Sequence, residues 1–159
     1  EAAEAIYGAT SVSDLARAKT YYRDVLGFEL GSIDELHRPE DEALWGLAGA
    51  KREGFLVRSG DVVLEIVCYD DPPGKPRPAD HRASDQCYFN AAFGSHDRTD
   101  VSEALARVLA SGTGSVNVLE TDDVLAAYIN EAERETEISF IDTKMMDAFG
   151  FVPQTPFFN

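Results

Sequence analysis

One short pattern, a glutamate set inside an apolar strand, occurs twice in this chain of 159 residues. The first copy spans residues 60–70 and the second residues 136–142, and each glutamate is followed at once by isoleucine and five residues later by aspartate. Strand side chains alternate between two faces, so Glu65 and Glu137 each lie on one fixed face. A carboxylate there is desolvated unless it pairs with a cation, coordinates a metal ion or faces a water-filled cavity. One copy alone indicates a solvated sheet face, whereas two matching copies favour a pocket.

The elements around the first copy predict the order strand, helix, three strands. Ser13 or Asp14 can cap a helix over residues 15–26, because Leu15, Ala18, Tyr22, Val25 and Leu26 recur at helical spacing, and Gly27 closes it. The predicted strands are 6–12, 28–33, 55–58 and 60–70, the last two joined as a hairpin. A short helix is predicted over Pro39–Ala50, with its apolar side formed by Leu44, Trp45 and Leu47.

The same order follows in the second half, after a proline-rich stretch. Strands are predicted over 87–93, 116–119, 126–129 and 135–141. A helix is predicted over 101–110, with Asp100 and Glu103 as a capping box and Gly112 at its end. The sequence therefore predicts an α+β protein of two tandem βαβββ modules that share a curved-sheet, barrel-like cavity. Within a single domain over 1–159, the modules span 5–70 and 87–142, joined by a linker at 71–86 and followed by a tail at 143–159.

The composition of the chain limits the kinds of partner that it can bind. Twenty-nine acidic residues against 14 basic ones give a net charge of −15, which argues against a nucleic-acid partner. No apolar run reaches the length that a membrane-spanning helix requires, and no signal-peptide pattern is present. Two cysteines form neither a disulfide framework nor a zinc motif. We expect a cytoplasmic protein that binds a small molecule.

Residues 7–28 followed by the Gly60–Glu65 stretch resemble the vicinal oxygen chelate superfamily, which includes glyoxalase I, bleomycin-resistance proteins and extradiol dioxygenases. This resemblance implies the doubled βαβββ fold, a homodimer, and inward-facing residues on the first and last strand of each module. Aligned on the serine-aspartate helix start, these positions hold Tyr7, Glu65, Asn90 and Glu137.

The resemblance further implies a metal site at these positions, but the residue types weigh against most metals. A neutral tyrosine oxygen is a poor ligand and asparagine offers a carbonyl, so zinc, nickel or iron is not expected. We expect no cofactor. A divalent ion such as magnesium or calcium, held by Glu65, Glu137 and Asn90, stays an alternative.

Two classes of function follow. In the first, Glu65 and Glu137 raise the pKa of each other in a dry cavity and transfer a proton next to a carbonyl, as in an isomerase, epimerase or lyase. Tyr7 then stabilises an enolate oxygen and Asn90 holds the carbonyl. In the second, the protein sequesters an aromatic metabolite or antibiotic without chemistry, in a pocket lined by Trp45, Tyr69 and Tyr88. A metal enzyme with a variant ligand set is the third possibility.

Overall fold

The structure, a computed structural model, describes residues 7–36, 38–59, 62–76, 78, 80, 90–131 and 134–141. It divides into two compact units, Glu1–His81 and Arg82–Asn159. Each unit carries one four-stranded mixed sheet. None of the helices in the described ranges is long and apolar enough to cross a membrane.

The first unit follows the order strand, helix, three strands. Its strands are β1 (Tyr7–Ser11), β2 (Leu30–Ser32), β3 (Lys51–Ser59) and β4 (Val62–Asp71). They lie in the order β1-β4-β3-β2, with β1 parallel to β4 and the other neighbours antiparallel. Helix α1 (Leu15–Lys19) continues as a π-helical segment, Thr20–Val25, and two 3₁₀ helices cover Ile33–Glu35 and Pro39–Trp45.

Helix α1 starts where the sequence predicts. Asp14 is its N-cap and accepts a hydrogen bond from the Arg17 backbone N–H at 2.9 Å. Gly27, at a φ of 88°, follows the π-helical segment in the left-handed conformation that glycine adopts readily. Tyr22 is buried, and its ring meets that of Phe55 edge to face at 6.1 Å between centroids. The helix therefore packs on the face of the sheet that carries Phe55.

The predicted second strand is too long at its C-terminal end. The strand stops at Ser32, where the Asp34 backbone N–H donates to the Ser32 hydroxyl at 3.3 Å. The Glu35 carboxylate in turn accepts from the Ser32 N–H at 3.1 Å. This capping box turns Ile33 out of the strand and into a 3₁₀ helix.

The apolar side predicted for the Pro39–Ala50 helix is also wrong. The observed 3₁₀ helix ends at Trp45 and leaves Leu44 84% and Trp45 59% exposed, while Glu42 is 1% exposed. Glu42 is buried because it pairs with a charged residue of a strand, as described below.

The second unit repeats the order of the first. Its strands are β5 (Asn90–Gly94), β6 (Ser115–Glu120), β7 (Val124–Glu131) and β8 (Arg134–Ile141), in the order β5-β8-β7-β6. Strand β5 is parallel to β8. Helix α2 (Arg98–Ser111) buries Val101, Ala104 and Val108 and ends before Gly112, whose φ is 65°. The predicted stop of this helix is confirmed.

The start of α2 differs from the prediction by about one turn. Asp97 is the N-cap and accepts from the Thr99 backbone N–H at 2.8 Å. Asp100 instead accepts from the Ser95 hydroxyl at 2.7 Å. Both aspartates precede a helical pattern, and the Ser95 hydroxyl, donating to Asp100 and accepting from the Asp97 N–H at 3.0 Å, joins them.

The α+β class and the doubled βαβββ order are confirmed. The shared cavity stays a prediction. Three predicted features lie wholly or partly outside the described residues: the end of the linker at 81–86, the start of the 87–93 strand with Tyr88, and the tail at 143–159.

Candidate functional site

The carboxylate of Glu65 is held in the middle of the first sheet. Glu65 is 3% exposed on β4, opposite Ala9 of β1 and Leu56 of β3. Leu56 and Val67, on the same face, are also buried. We call this surface the Glu65 face. Its apolar surroundings make a charge there costly, as the sequence predicts for a glutamate in this position.

Tyr7 lies at one edge of the same face. It pairs with Val63, two residues before Glu65, and its side chain is 36% exposed. The period of two places Tyr7 and Glu65 on one side of the sheet. The structure thus brings together the two first-module residues that the resemblance selected.

Tyr69 belongs to a buried polar cluster at the far end of the Glu65 face. Its hydroxyl donates to Oε2 of Glu42 at 2.7 Å. Arg52, opposite Tyr69 on β3, forms an ion pair with Oε1 of the same carboxylate. The exposed fractions of the Arg52 and Glu42 side chains are 2% and 1%. We call Glu42, Arg52 and Tyr69 the carboxylate cluster.

The cluster raises the pKa of the Tyr69 hydroxyl. Burial, the hydrogen bond to Glu42 and the negative charges of Glu42 and Glu65 raise the pKa of Tyr69 to about 12, against a smaller lowering by Arg52. Tyr69 therefore acts as a hydrogen-bond donor at neutral pH.

Glu137 occupies the matching place in the second unit. It lies on β8 opposite Ala92 of β5, as Glu65 lies opposite Ala9. On its other side Glu137 pairs with Tyr128 of β7, where Glu65 has Leu56. The register thus confirms that the two glutamates are equivalent in the repeat.

The surroundings of Glu137 are more open than those of Glu65. Glu137 is half-buried, and Tyr128 beside it is 42% exposed. Burial raises the pKa of the Glu137 carboxyl, and a hydrogen bond with the Ser139 side chain lowers this pKa by a smaller amount. A half-buried carboxyl whose pKa is raised is suited to proton exchange.

Asn90 shares a face with Glu137. It is the exposed first residue of β5 and pairs with Glu135, two residues before Glu137. Tyr7 stands in the same relation to Glu65, so the register agrees with the predicted correspondence of Tyr7 and Asn90. We call the side of the second sheet with Asn90, Tyr128 and Glu137 the Glu137 face.

The predicted aromatic pocket residues lie in different settings. Trp45 ends the 3₁₀ helix and is exposed, Tyr69 is engaged with Glu42, and Tyr88 is outside the described residues. The Tyr69 hydroxyl is therefore already used within the protein.

Sequence reasoning missed four neighbours of these residues. Tyr128 and Ser139 lie on the Glu137 face, and the two-residue spacing of Ser139 from Glu137 is a signal that could have found it. Glu42 and Arg52 gave no such signal, because they pair across ten residues and an intervening turn.

These observations can be set beside known proteins. The family model of the Glyoxalase/Bleomycin resistance protein/Dioxygenase superfamily matches residues 8–157. The chain belongs to this superfamily. Because the match runs through both modules, the superfamily assignment covers the whole repeat. No curated protein sequence matches the chain.

Solved structures of similar fold include members of this superfamily. A glyoxalase family protein from Bacillus cereus is 14% identical with a TM-score of 0.67, covering 89% of this chain and 96% of its own. A lactoylglutathione lyase from Agrobacterium tumefaciens is 19% identical with a TM-score of 0.56, covering 91% and 97%. A glyoxalase/dioxygenase from Nostoc punctiforme is 14% identical with a TM-score of 0.59, covering 87% and 90%. At these identities the likeness establishes the fold alone.

The four residues that the resemblance selects are a poor donor set for a transition metal. Tyr7, Glu65, Asn90 and Glu137 offer oxygen atoms alone, with no imidazole or thiolate among them. Within the described part of the chain, no three His, Cys, Asp or Glu side chains are grouped so as to hold a metal ion. The proposal below therefore takes no step through a metal.

Proposed function

We propose that this superfamily member is a metal-independent enzyme that moves a proton on a small carbonyl compound, with Glu137 as the group that exchanges the proton. One observation carries the proposal: a half-buried glutamate with a raised pKa stands at a position that the resemblance selects for a site residue. A base whose pKa lies closer to neutrality transfers protons more effectively at neutral pH.

The proposed step is a 1,2-proton shift. The Glu137 carboxylate takes a proton from the carbon next to the carbonyl, and the electron pair left behind moves onto the carbonyl oxygen. The resulting carboxylic acid returns the proton to the former carbonyl carbon, while the proton of the α-hydroxyl group passes to the former carbonyl oxygen. An α-hydroxy carbonyl compound is thus converted to its isomer, and no electrons enter or leave. Asn90 is assigned to the carbonyl oxygen because its amide can donate a hydrogen bond.

The test follows the exchange of carbon-bound protons in deuterium oxide by proton NMR. The substrates are a panel of α-hydroxy and α-keto carbonyl compounds. Lactoylglutathione is added because the similar Agrobacterium structure is that of a lactoylglutathione lyase. We expect exchange that survives a chelator and falls by about 10²- to 10⁴-fold in Glu137→Gln. Glu65→Gln and Tyr7→Phe, measured alongside, test the two first-module assignments.

The matched control is Glu103→Gln, which removes an exposed carboxylate from α2. It should exchange protons at the wild-type rate. Exchange that Glu137→Gln leaves intact would refute the role of Glu137, and loss of exchange on chelation would refute metal independence.

A second function, sequestration of an aromatic compound, is favoured by the exposed ring of Tyr128 beside Glu137. Aromatic rings bind planar ligands through their faces and edges. If this function is right, Tyr128→Ala should weaken binding of an aromatic ligand more than Glu137→Gln does. Calorimetric titration of both variants with the same compound separates the two functions.

A further inference from the structure

The 3₁₀ helix Pro39–Trp45 is attached to the first sheet in an unusual way. Its buried residue is the charged Glu42, whereas its large apolar side chains, Leu44 and Trp45, face outward. Short surface segments are normally anchored by apolar side chains. Here the Glu42 carboxylate inserts between Arg52 and the Tyr69 hydroxyl.

A carboxylate that is held by an ion pair can be replaced by another carboxylate. Taking both members of an ion pair out of water costs nearly as much free energy as their attraction returns. The net stabilisation from docking Glu42 is therefore small compared with that from burying Leu44 and Trp45, which this segment forgoes. A carboxylate from elsewhere could take the same place with no change in the charge of the cluster.

The groups that hold Glu42 are the ones that recognise carboxylates in general. A guanidinium donates N–H bonds in a fixed fork, and a phenol adds a third donor from the side. Tyr69 is a donor at neutral pH, and its pKa, raised to about 12, keeps it a donor in alkaline solution as well. Both groups lie on the Glu65 face, and Tyr69 is four residues from Glu65, roughly 13 Å along the strand.

The fold itself does not require the cluster. In the second module the positions equivalent to Arg52 and Tyr69 are the paired residues Val124 and Ile141. Strand β6 ends at Glu120 and β7 begins at Val124, so this module has no segment like Pro39–Trp45 between them. The first module carries the cluster in addition to what the repeat needs.

We propose that Arg52 and Tyr69 form a binding subsite for a ligand carboxylate, which Glu42 occupies until such a ligand displaces it. The ligand class is a small organic acid whose carboxylate binds between the two groups. Displacement releases the segment that carries Trp45. This inference holds whether or not Glu137 transfers a proton.

Trp45 supplies the measurement, because it is the single tryptophan of the chain. The probe is benzoate, and benzamide is its uncharged match. Benzoate should lower the fluorescence anisotropy of Trp45 in the wild-type protein in a saturable way, since the released segment moves more freely. Benzamide should leave the anisotropy unchanged.

The deciding variant is Glu42→Gln, which keeps the shape of the side chain but removes its charge. Competition from Glu42 reduces the apparent affinity for benzoate, so calorimetry should give a dissociation constant about tenfold lower in Glu42→Gln than in the wild type. The control Glu40→Gln alters an exposed glutamate of the same segment and should bind benzoate like the wild type.

Two results with the wild type and Glu42→Gln would each overturn the proposal. One is a folded Glu42→Gln protein that binds benzoate no more tightly than Glu40→Gln. The other is a wild-type anisotropy that benzoate does not change, which decides the question even if Glu42→Gln fails to fold. A third variant, Tyr69→Phe, should weaken benzoate binding because it removes one donor, and unchanged binding would also count against the subsite.

Discussion

At the scale of single residues, the two repeated glutamates show how neighbours decide the properties of a carboxyl group. Glu65 and Glu137 stand at the same register position, yet Glu65 has Leu56 beside it and is buried. Glu137 has Tyr128 beside it and is half-buried. Partial exposure leaves Glu137 open to solvent, while the desolvation that remains raises its pKa.

The raised pKa of Glu137 predicts a pH dependence of stability. The folded protein binds this proton more tightly than the unfolded chain, whose glutamate pKa is near 4.5. The stabilisation is therefore fully present below that pH and is lost as the pH rises through the folded-state pKa. Glu137→Gln cannot ionise, so relative to the wild type it should gain melting temperature as the pH rises from below 4.5 through the folded-state pKa.

Thermal unfolding of both proteins across this pH range checks the prediction. Glu103→Gln, altered on the exposed side of α2, should follow the wild-type curve. Parallel curves for Glu137→Gln and the wild type would contradict a raised pKa for Glu137 in the folded protein.

At the scale of elements, the ends of the helices depend on single hydrogen bonds. Asp97 accepts from the Thr99 N–H at the start of α2, while Asp100 is engaged by the Ser95 hydroxyl. A helix begins with backbone N–H groups that lack partners within the helix, so the side chain that reaches them sets the start. By sequence position either Asp97 or Asp100 could cap the helix, and the geometry of the preceding turn makes Asp97 the N-cap.

This assignment predicts a specific loss of stability. Asp97→Ala should lower the free energy of unfolding by about 1 kcal/mol, the usual cost of removing an N-cap. Glu103→Ala, at the position that the sequence suggested as the reciprocal cap, should change it by less than about 0.5 kcal/mol. Urea unfolding measures both, and an equal loss in the two variants would show that Asp97 is not the cap.

At the scale of the whole molecule, the two modules share one order of elements but differ in the side chains around the repeated glutamate. Each has a parallel pair of first and last strands and a helix over the apolar face of its sheet. The first module adds the carboxylate cluster, and the second adds Tyr128 and Ser139 around its glutamate. Duplication of the fold thus leaves each module free to specialise.

The predicted homodimer is a property of the whole molecule, and an exposed edge strand supports this prediction. Strand β6 is the outer strand of the second sheet, and its Val118 and Leu119 are 47% and 50% exposed, which favours pairing with another copy. We expect a molar mass of twice 17.4 kDa by light scattering. Since each copy carries a net charge of −15, added salt should favour the dimer.

Val118→Lys places a charge on this outer strand and should shift the mass toward the monomer, while Leu109→Lys, at an exposed position on α2, should not. A monomer at all salt concentrations would refute the dimer, and an unaffected dimer in Val118→Lys would place the interface elsewhere.

The sequence by itself determined the α+β class, the doubled βαβββ order and the equivalence of Glu65 with Glu137. These features follow from strand and helix periodicity and from capping residues, which act over a few neighbouring positions. The tertiary structure decided which glutamate is buried and paired Glu42 with Arg52, against the prediction that Leu44 and Trp45 form the buried side. Burial depends on contacts between residues distant in sequence, and local patterns do not encode those contacts.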